Sequence, residues 1–416
     1  MLLKSFEVER LFGTFNYNLN FENKSNLLVL TGLNGYGKTT ILRILSSLSD
    51  KDDLFYLYEI PFNQIKVDFD NGTTLIVSKV KPKDEVIGDV ITDELQTTRL
   101  SYQRGRKVIA KYEIDQETYL ASDYYEKTRK SSKDKENENV RPFRWLSYKF
   151  EENGERLEKL VMSLSVLNTC FIRSQRLYNE DKEGKSQRAI SEVAKNMAKL
   201  LSTAHYNYLS NAQELDGHQI DELLADDTPL LSENEYVRKS SVINLLATEL
   251  LSYNLLPQLH IRPYNPAKAL ISSVYINTLE KKLNAYEDIC KKLRLFLQLL
   301  NNKEFVNKKF AFSRNEGLRV LLKTGGVLKD LTKLSSGEQN EVFLLFKLIF
   351  EVPNKSVLLI DEPELSLHVA WQLQFIKDIK EIAKAREIQI VIATHSPEIV
   401  SESMDCCVDL TEMTNA

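Results

Sequence analysis

Leu27-Leu28-Val29-Leu30 is an unbroken apolar run, the pattern of a strand buried on both faces. A glycine-rich stretch follows. Then Ile41, Leu42, Ile44, Leu45 and Leu48 recur at helical spacing. The pattern predicts strand, loop and helix in succession. Two more apolar runs lie near the other end, Ser356 to Ile360 and Ile388 to Ala393, and each predicts a buried strand. Residues 4–21 alternate polar and apolar, as in an edge strand or hairpin. Residues 64–80 alternate on both sides of Asp70-Asn71-Gly72, a hairpin signal. An antiparallel subsheet is therefore expected early in the chain.

The middle of the chain has a different period. Ile276, Leu279, Leu283, Tyr286, Cys290, Leu293, Leu297 and Leu300 step alternately by three and four, a heptad seam. Ile190, Val193, Met197, Leu200 and Ala204 step similarly. A further helix near 234–256 carries Val237, Leu246 and Leu250. These helices predict a compact α-helical insertion with one short helical hairpin. The seam fits either internal packing or an oligomer interface. Residues 126–141 are polar, charged and aperiodic, and read as a mobile, solvated loop whose lysines and arginines are able to touch phosphate.

Composition narrows the class. In 416 residues the charged fraction is 27%, the hydrophobic fraction 43% and the net charge −4, an ordinary globular balance with no bias toward nucleic acid. No stretch approaches the ~18 apolar residues of a membrane span, and MLLKSFEVER has no apolar signal core. Four cysteines, two of them adjacent (Cys406, Cys407), form neither a disulfide framework nor a spaced zinc pair. A cytoplasmic protein without membrane association is expected.

Candidate chemistry begins in the first loop. Gly32-Leu33-Asn34-Gly35-Tyr36-Gly37-Lys38-Thr39 fits G-x-x-x-x-G-K-[ST] in the strand–loop–helix setting that motif requires. Its glycines let backbone N–H groups turn toward phosphate oxygens, and the helix presents its positive end to them. Asn34, Gly35, Tyr36, Gly37, Lys38, Thr39 and Thr40 are the expected ATP-binding set. Lys38 reaches the β- and γ-phosphates and Thr39 ligates Mg²⁺. Asp361 and Glu362 end the second apolar strand, Ser356 to Ile360. With a P-loop present they read as a magnesium-positioning carboxylate and the general base for water. His395 follows the last apolar strand, at the strand end where open α/β sheets bind ligands. Leu334-Ser335-Ser336-Gly337-Glu338-Gln339 precedes a helical run, Asn340 to Phe350, and reads as an N-cap with a capping box from Ser335 to Glu338. A capped helix N-terminus is also an anion site when a phosphate arrives from elsewhere. Phe12, Phe15 and Tyr17 fit adenine stacking or, better, aromatic core.

Taken in order, the P-loop, LSSGEQ, LLIDEPELSLH and IATHSP resemble an ABC-class ATPase head, more narrowly its SMC/RecF/OLD branch. The resemblance implies an α/β fold: an ABC-type P-loop head, with a mixed sheet and antiparallel β-subdomain, interrupted by the helical insertion. It divides the chain into 1–180 (P-loop, β-subdomain, Q-segment), 181–310 (insertion) and 311–416 (signature, carboxylate pair, D-loop, histidine switch). It implies ATP and Mg²⁺ as cofactors and a head-to-tail dimer in which Ser335 and Gly337 of one copy close on the γ-phosphate held by the other. Phe171-Ile172-Arg173-Ser174-Gln175 resembles the Q-segment, which makes Gln175 a Mg²⁺ or water contact. Ser336 stands where transporters have glycine, and Ser366-Leu367-His368 occupies the D-loop position.

Three functions compete. A transporter subunit is disfavoured by the long stretch between Gln175 and Ser335 and by the LSSGEQ and SLH motifs. A RecF- or SMC-like DNA-repair ATPase fits the head but lacks a long coiled coil. LSSGEQNEVFLLFKLIFE and LLIDEPELSLHVAWQ resemble ATPases of bacterial anti-phage systems, those of PARIS above all, with Septu and other OLD-like ATPases close behind. That likeness implies a homo-oligomer assembled into a larger ring. It further implies a separately encoded effector nuclease of Toprim or HNH type, and a phage protein or phage DNA as trigger. With only a short remainder after His395, no Toprim domain is expected in the chain itself. Direct DNA contact is left open by the sequence.

Overall fold

The computed structural model describes all residues except 23–25, 50–52, 81–96, 117, 121–155, 165–166, 173–177, 181–185, 226–227, 304, 306, 329–330, 367–368 and 414–416. Gln175, the 126–141 segment and Leu367-His368 lie outside the described residues. Two compact units form, Met1–Ser174 with Val352–Ala416, and Gln175–Glu351.

The first unit holds two sheets. One is antiparallel and six-stranded, in the order Phe15–Asn20, Leu3–Leu11, Gln64–Phe69, Thr73–Val80, Thr97–Arg104, Lys107–Ile114. The hairpin expected at Asp70-Asn71-Gly72 joins its third and fourth strands, with Asp68 opposite Thr74. The other sheet is parallel and five-stranded, in the order Cys407–Asp409, Leu27–Thr31, Gln389–Ala393, Val357–Asp361, Thr169–Ile172. Its three central strands are buried along almost their whole length, as continuous apolar runs demand. Phe6, Val67 and Leu75 from one sheet join Leu28, Leu359 and Val391 from the other in one core around Ile41, Leu42, Ile44 and Leu45 of the helix Lys38–Ser47. Gln389 ties the sheets at one end: its buried side chain accepts from Leu3 N and donates to Leu3 O, both at 2.9 Å. This mixed α/β architecture, a parallel core sheet beside an antiparallel subsheet, is the one the sequence led us to expect.

The second unit is mainly helical, with helices Ala189–Leu224, Glu233–Ser252, Ala269–Leu283, Glu287–Asn301 and Ser336–Phe346. The heptad seam spans two of them, joined by a single 3-10 turn at Asn284–Tyr286. Ile276, Leu283, Tyr286, Cys290, Leu293 and Leu300 are buried, so the seam packs inward. Val237 corrects one expectation. It is exposed on its helix, which buries Tyr236, Ile243, Ala247 and Leu250 instead. The run after Asn340 also ends differently, with Lys347–Glu351 forming a π-helical turn. A three-stranded antiparallel sheet, Lys308–Ser313, Gly317–Leu322 and Val327–Leu328, lies against the helix Ala189–Leu224. The approach is close enough to require a glycine. At Gly317 (φ +73°) a Cβ would stand 2.0 Å from the Ala194 carbonyl oxygen. Among the described residues, no helix is long and apolar enough to cross a membrane.

Candidate functional site

Register brings the site together. Leu30 pairs with Ala393, and Ala393 with Asp361, so three neighbouring parallel strands end level. The loops that follow them emerge side by side: 32–37, the turn at Glu362, and Thr394-His395. This is the carboxyl edge, where ligands of open α/β sheets sit.

The first loop leads into its helix through Gly37, a left-handed residue at the N-cap (φ +82°). A side chain there would strain the backbone and press on Leu11 Cδ2 at 3.1 Å. Asn34 and Gly35 form the exposed crest, Tyr36 and Thr40 are half-buried, and Thr39 is exposed. Lys38 is only 7% exposed, and its ammonium donates to Gly32 O at 2.8 Å and Leu33 O at 3.1 Å. Burial lowers its pKa, against the pull of Glu362, Asp361, Asp409 and Glu364. The Thr39 hydroxyl donates to Asp361 Oδ1 at 3.1 Å. Asp361 is 8% exposed, and burial raises its pKa, reinforced by Glu362 and Glu364 and opposed by Thr39 and Lys38. Glu362 has left-handed backbone (φ +47°), rare for a residue with a side chain, and its N–H is fixed to Ala393 O at 2.8 Å.

Residues 1–400 match the family described as AAA ATPase domain (AAA_15). The chain belongs to the AAA ATPase domain family. A phage relative, protein ea59 of Escherichia phage lambda, is 35% identical over 81 residues, which are 20% of this chain. The chain covers 15% of that protein's length. Similar solved structures include the Smc head domain with an extended coiled coil bound to the C-terminal domain of ScpA, from Pyrococcus furiosus. It is 16% identical, with 96% of this chain and 91% of that chain covered and a TM-score of 0.38. The SMC head domain from Thermotoga maritima is 11% identical, with 97% and 92% covered and a TM-score of 0.33.

In this AAA ATPase-domain chain the LSSGEQ segment lies in the second unit. Ser335 caps the helix Ser336–Phe346: its Oγ accepts from Glu338 N at 3.3 Å, and Glu338 Oε2 accepts from Ser335 N at 2.7 Å. The capping box expected from sequence is present. Lys308 donates to the second oxygen of Glu338 at 2.7 Å, and these contacts hold the Glu338 carboxyl below its ordinary pKa despite burial. Ser335 and Ser336 are exposed and Gly337 is half-buried. The box occupies the Glu338 N–H and leaves the serine face open.

Sequence reasoning missed three supports of the site. Glu364, two residues beyond Glu362, accepts from Thr394 Oγ1 and His395 N. Thr411 Oγ1 accepts from Leu33 N at 3.3 Å, and Asp409 Oδ1 accepts from Thr411 N at 2.8 Å, so the segment after Cys407 braces the first loop. Tyr17 OH donates to Tyr36 O at 2.7 Å, and burial pushes the phenol up to about 12. Tyr17 is thus core and a loop support, whereas Phe12 is 42% exposed with Cε2 3.5 Å from the position of a Gly37 Cβ. Only the DEPE string carried a signal for any of these. A threonine in a one-turn helix, and an aspartate and a tyrosine in short strands, have no recognisable spacing.

The donor set fits a nucleoside triphosphate with a hard divalent ion. A glycine-bearing loop with an exposed crest, a buried lysine at the helix start, and a hydroxyl paired to a carboxylate supply amides, charge and oxygen ligands.

Proposed function

We propose that this chain is a Mg²⁺-dependent ATP hydrolase. The observation that carries the reading is the Thr39–Asp361 hydrogen bond beside the buried Lys38. Asn34 to Thr40 would receive the phosphates, Thr39, Asp361 and Gln175 would hold the ion, and Glu362 would take the proton of the attacking water. Bound Mg²⁺ would supply charge neutralisation for the transferred phosphoryl group. His395 would face the terminal phosphate from the neighbouring strand end, and Phe12 offers the exposed ring for the base. Titrating ATP against wild type and Lys38→Ala, with phosphate release followed in parallel, tests this. Equal binding by both would defeat it.

The finer reading follows from the LSSGEQ and DEPELSLH likeness. Residues 1–180 and 311–416 act as the ATPase head around an insertion at 181–310. Two heads close head-to-tail, with Ser335 and Gly337 completing the partner's site, and such dimers assemble into a ring. The assembly serves as sensor and scaffold of a cytoplasmic anti-phage system, and ATP state controls a separately encoded Toprim or HNH nuclease after a phage trigger. Co-expression with the neighbouring gene tests this by co-purification and phage challenge. Recovery of the chain with a membrane permease would sink it.

A further inference from the structure

The turn that carries His395 is held by a residue to which ATP chemistry, as read above, gives no task. Glu364 projects from the 3-10 turn Pro363–Ser366 that directly follows the carboxylate pair. The left-handed backbone at Glu362 turns the chain there, with Leu365 N donating to Glu362 O at 3.2 Å. Glu364 consequently faces the end of the neighbouring strand. Its Oε2 accepts from Thr394 Oγ1 at 2.8 Å, and its Oε1 accepts from the backbone N–H of His395 at 2.6 Å. Thr394 is completely buried, and its hydroxyl also accepts from Ser396 N at 3.0 Å. A second strap comes from Gln372, whose Oε1 accepts from Ser396 Oγ at 2.7 Å. The Glu364 contacts are charge-assisted and about twice as strong as neutral ones. They cost repulsion, because Glu364 adds its charge to that of Glu362 around Asp361.

We propose that Glu364 is the positioning residue for His395. Its two-pronged carboxylate fixes the Thr394–His395 turn to the segment that carries Asp361 and Glu362, so the histidine and the carboxylate pair keep one geometry. The proposal rests on the ATPase reading, and it gives the second glutamate of the DEPE string a separate role. Glu364 would act through His395 and would not touch substrate.

The test uses the full chain. Glu364→Ala loses both bonds. KM for ATP should stay within about twofold while kcat falls roughly 10–100-fold, the cost of a misplaced reacting group. Glu364→Gln keeps an oxygen for His395 N–H and an amide for Thr394 Oγ1, and should recover most of the loss. Thr394→Val removes one of the two Glu364 bonds, together with the acceptor of Ser396 N, at nearly constant volume, and should fall between them. In a His395→Ala background, Glu364→Ala should cost little more, because the two act as a unit. The chain has five histidines, so the ¹³C-histidine spectrum reads the clamp without nucleotide. The His395 signal, assigned by its loss in His395→Ala, should move or broaden in Glu364→Ala and stay put in Glu364→Gln. An unmoved signal and unchanged kcat in Glu364→Ala would overturn the proposal. So would Glu364→Gln as inactive as Glu364→Ala, or an equal loss in the His395→Ala background. If Glu364→Ala does not fold, Thr394→Val and Glu364→Gln decide. A wild-type chain that never turns over ATP would sink the ATPase reading alone, and the histidine spectrum would still judge the clamp.

Discussion

The Thr39 hydroxyl donates to Asp361 Oδ1 at 3.1 Å across 322 residues of sequence. The bond joins the helix after the first loop to the end of a strand two places away in the parallel sheet. Two oxygens of the kind Mg²⁺ prefers therefore lie together at the carboxyl edge. Asp361→Asn keeps an acceptor for Thr39 but removes the charge. Calorimetric titration should show ATP binding weakened at least about tenfold in the presence of Mg²⁺. In EDTA the two proteins should bind alike. Equal loss with and without the ion would mean that Asp361 acts only as a brace.

Glu362 is predicted to separate binding from turnover. Glu362→Gln keeps the size and the backbone position fixed by Ala393 O, but an amide cannot accept the water's proton. Phosphate release should fall by about 10²–10⁴-fold with ATP affinity retained. Unchanged hydrolysis would move the base elsewhere.

Much of this was legible beforehand, for a physical reason. Strands buried on both faces show as continuous apolar runs, so the P-loop strand and both later core strands were readable, and so was the hairpin at Asp70-Asn71-Gly72. The capping box at Ser335 and Glu338 is a local bond and has a local signature. Val237 was misplaced because a three-four apolar step is ambiguous when one helix has several apolar positions. Glu364, Thr411 and the loop-bracing bond of Tyr17 were missed because each acts across the fold. Their partners are set by sheet register, which no spacing within the chain encodes.

The signature helix provides a prediction in trans. Ser335 is exposed at its N-terminus, so Ser335→Arg should leave ATP binding by each chain intact while stopping hydrolysis. Mixing Ser335→Arg with Lys38→Ala chains should restore at most one working site per pair. Normal hydrolysis by Ser335→Arg alone would remove the composite-site model.

Lys79 sets a pH dependence in the first unit. Its Nζ donates to Tyr58 O at 2.6 Å and Thr98 Oγ1 at 3.0 Å, and burial lowers its pKa to about 8. Between about 8 and the ordinary lysine value the unfolded chain binds a proton that the folded chain has released. Stability from this group therefore rises with pH across that window and is lower below it. Melting temperatures of wild type minus Lys79→Met should climb from pH 8 toward pH 10. A flat difference would show that the hydrogen bonds keep the ammonium charged.

The last prediction concerns what holds the signature helix from behind. Lys303 and Glu341 form an ion pair, with each side chain only 1% exposed. Glu341 sits one turn beyond the capping residue Glu338 on the helix Ser336–Phe346. Burying two charges costs several kcal/mol each, which their attraction offsets only when both are present. Lys303→Met alone takes the ion-pair partner from the buried carboxylate and should destabilise the fold by about 3–5 kcal/mol. Glu341→Leu alone should do the same to the ammonium. The double replacement removes both charges and should recover most of the loss, because an apolar pair of similar volume carries no desolvation cost. Urea unfolding of the four proteins completes the cycle. Should the double variant be as unstable as the sum of the singles, the two residues are not coupled.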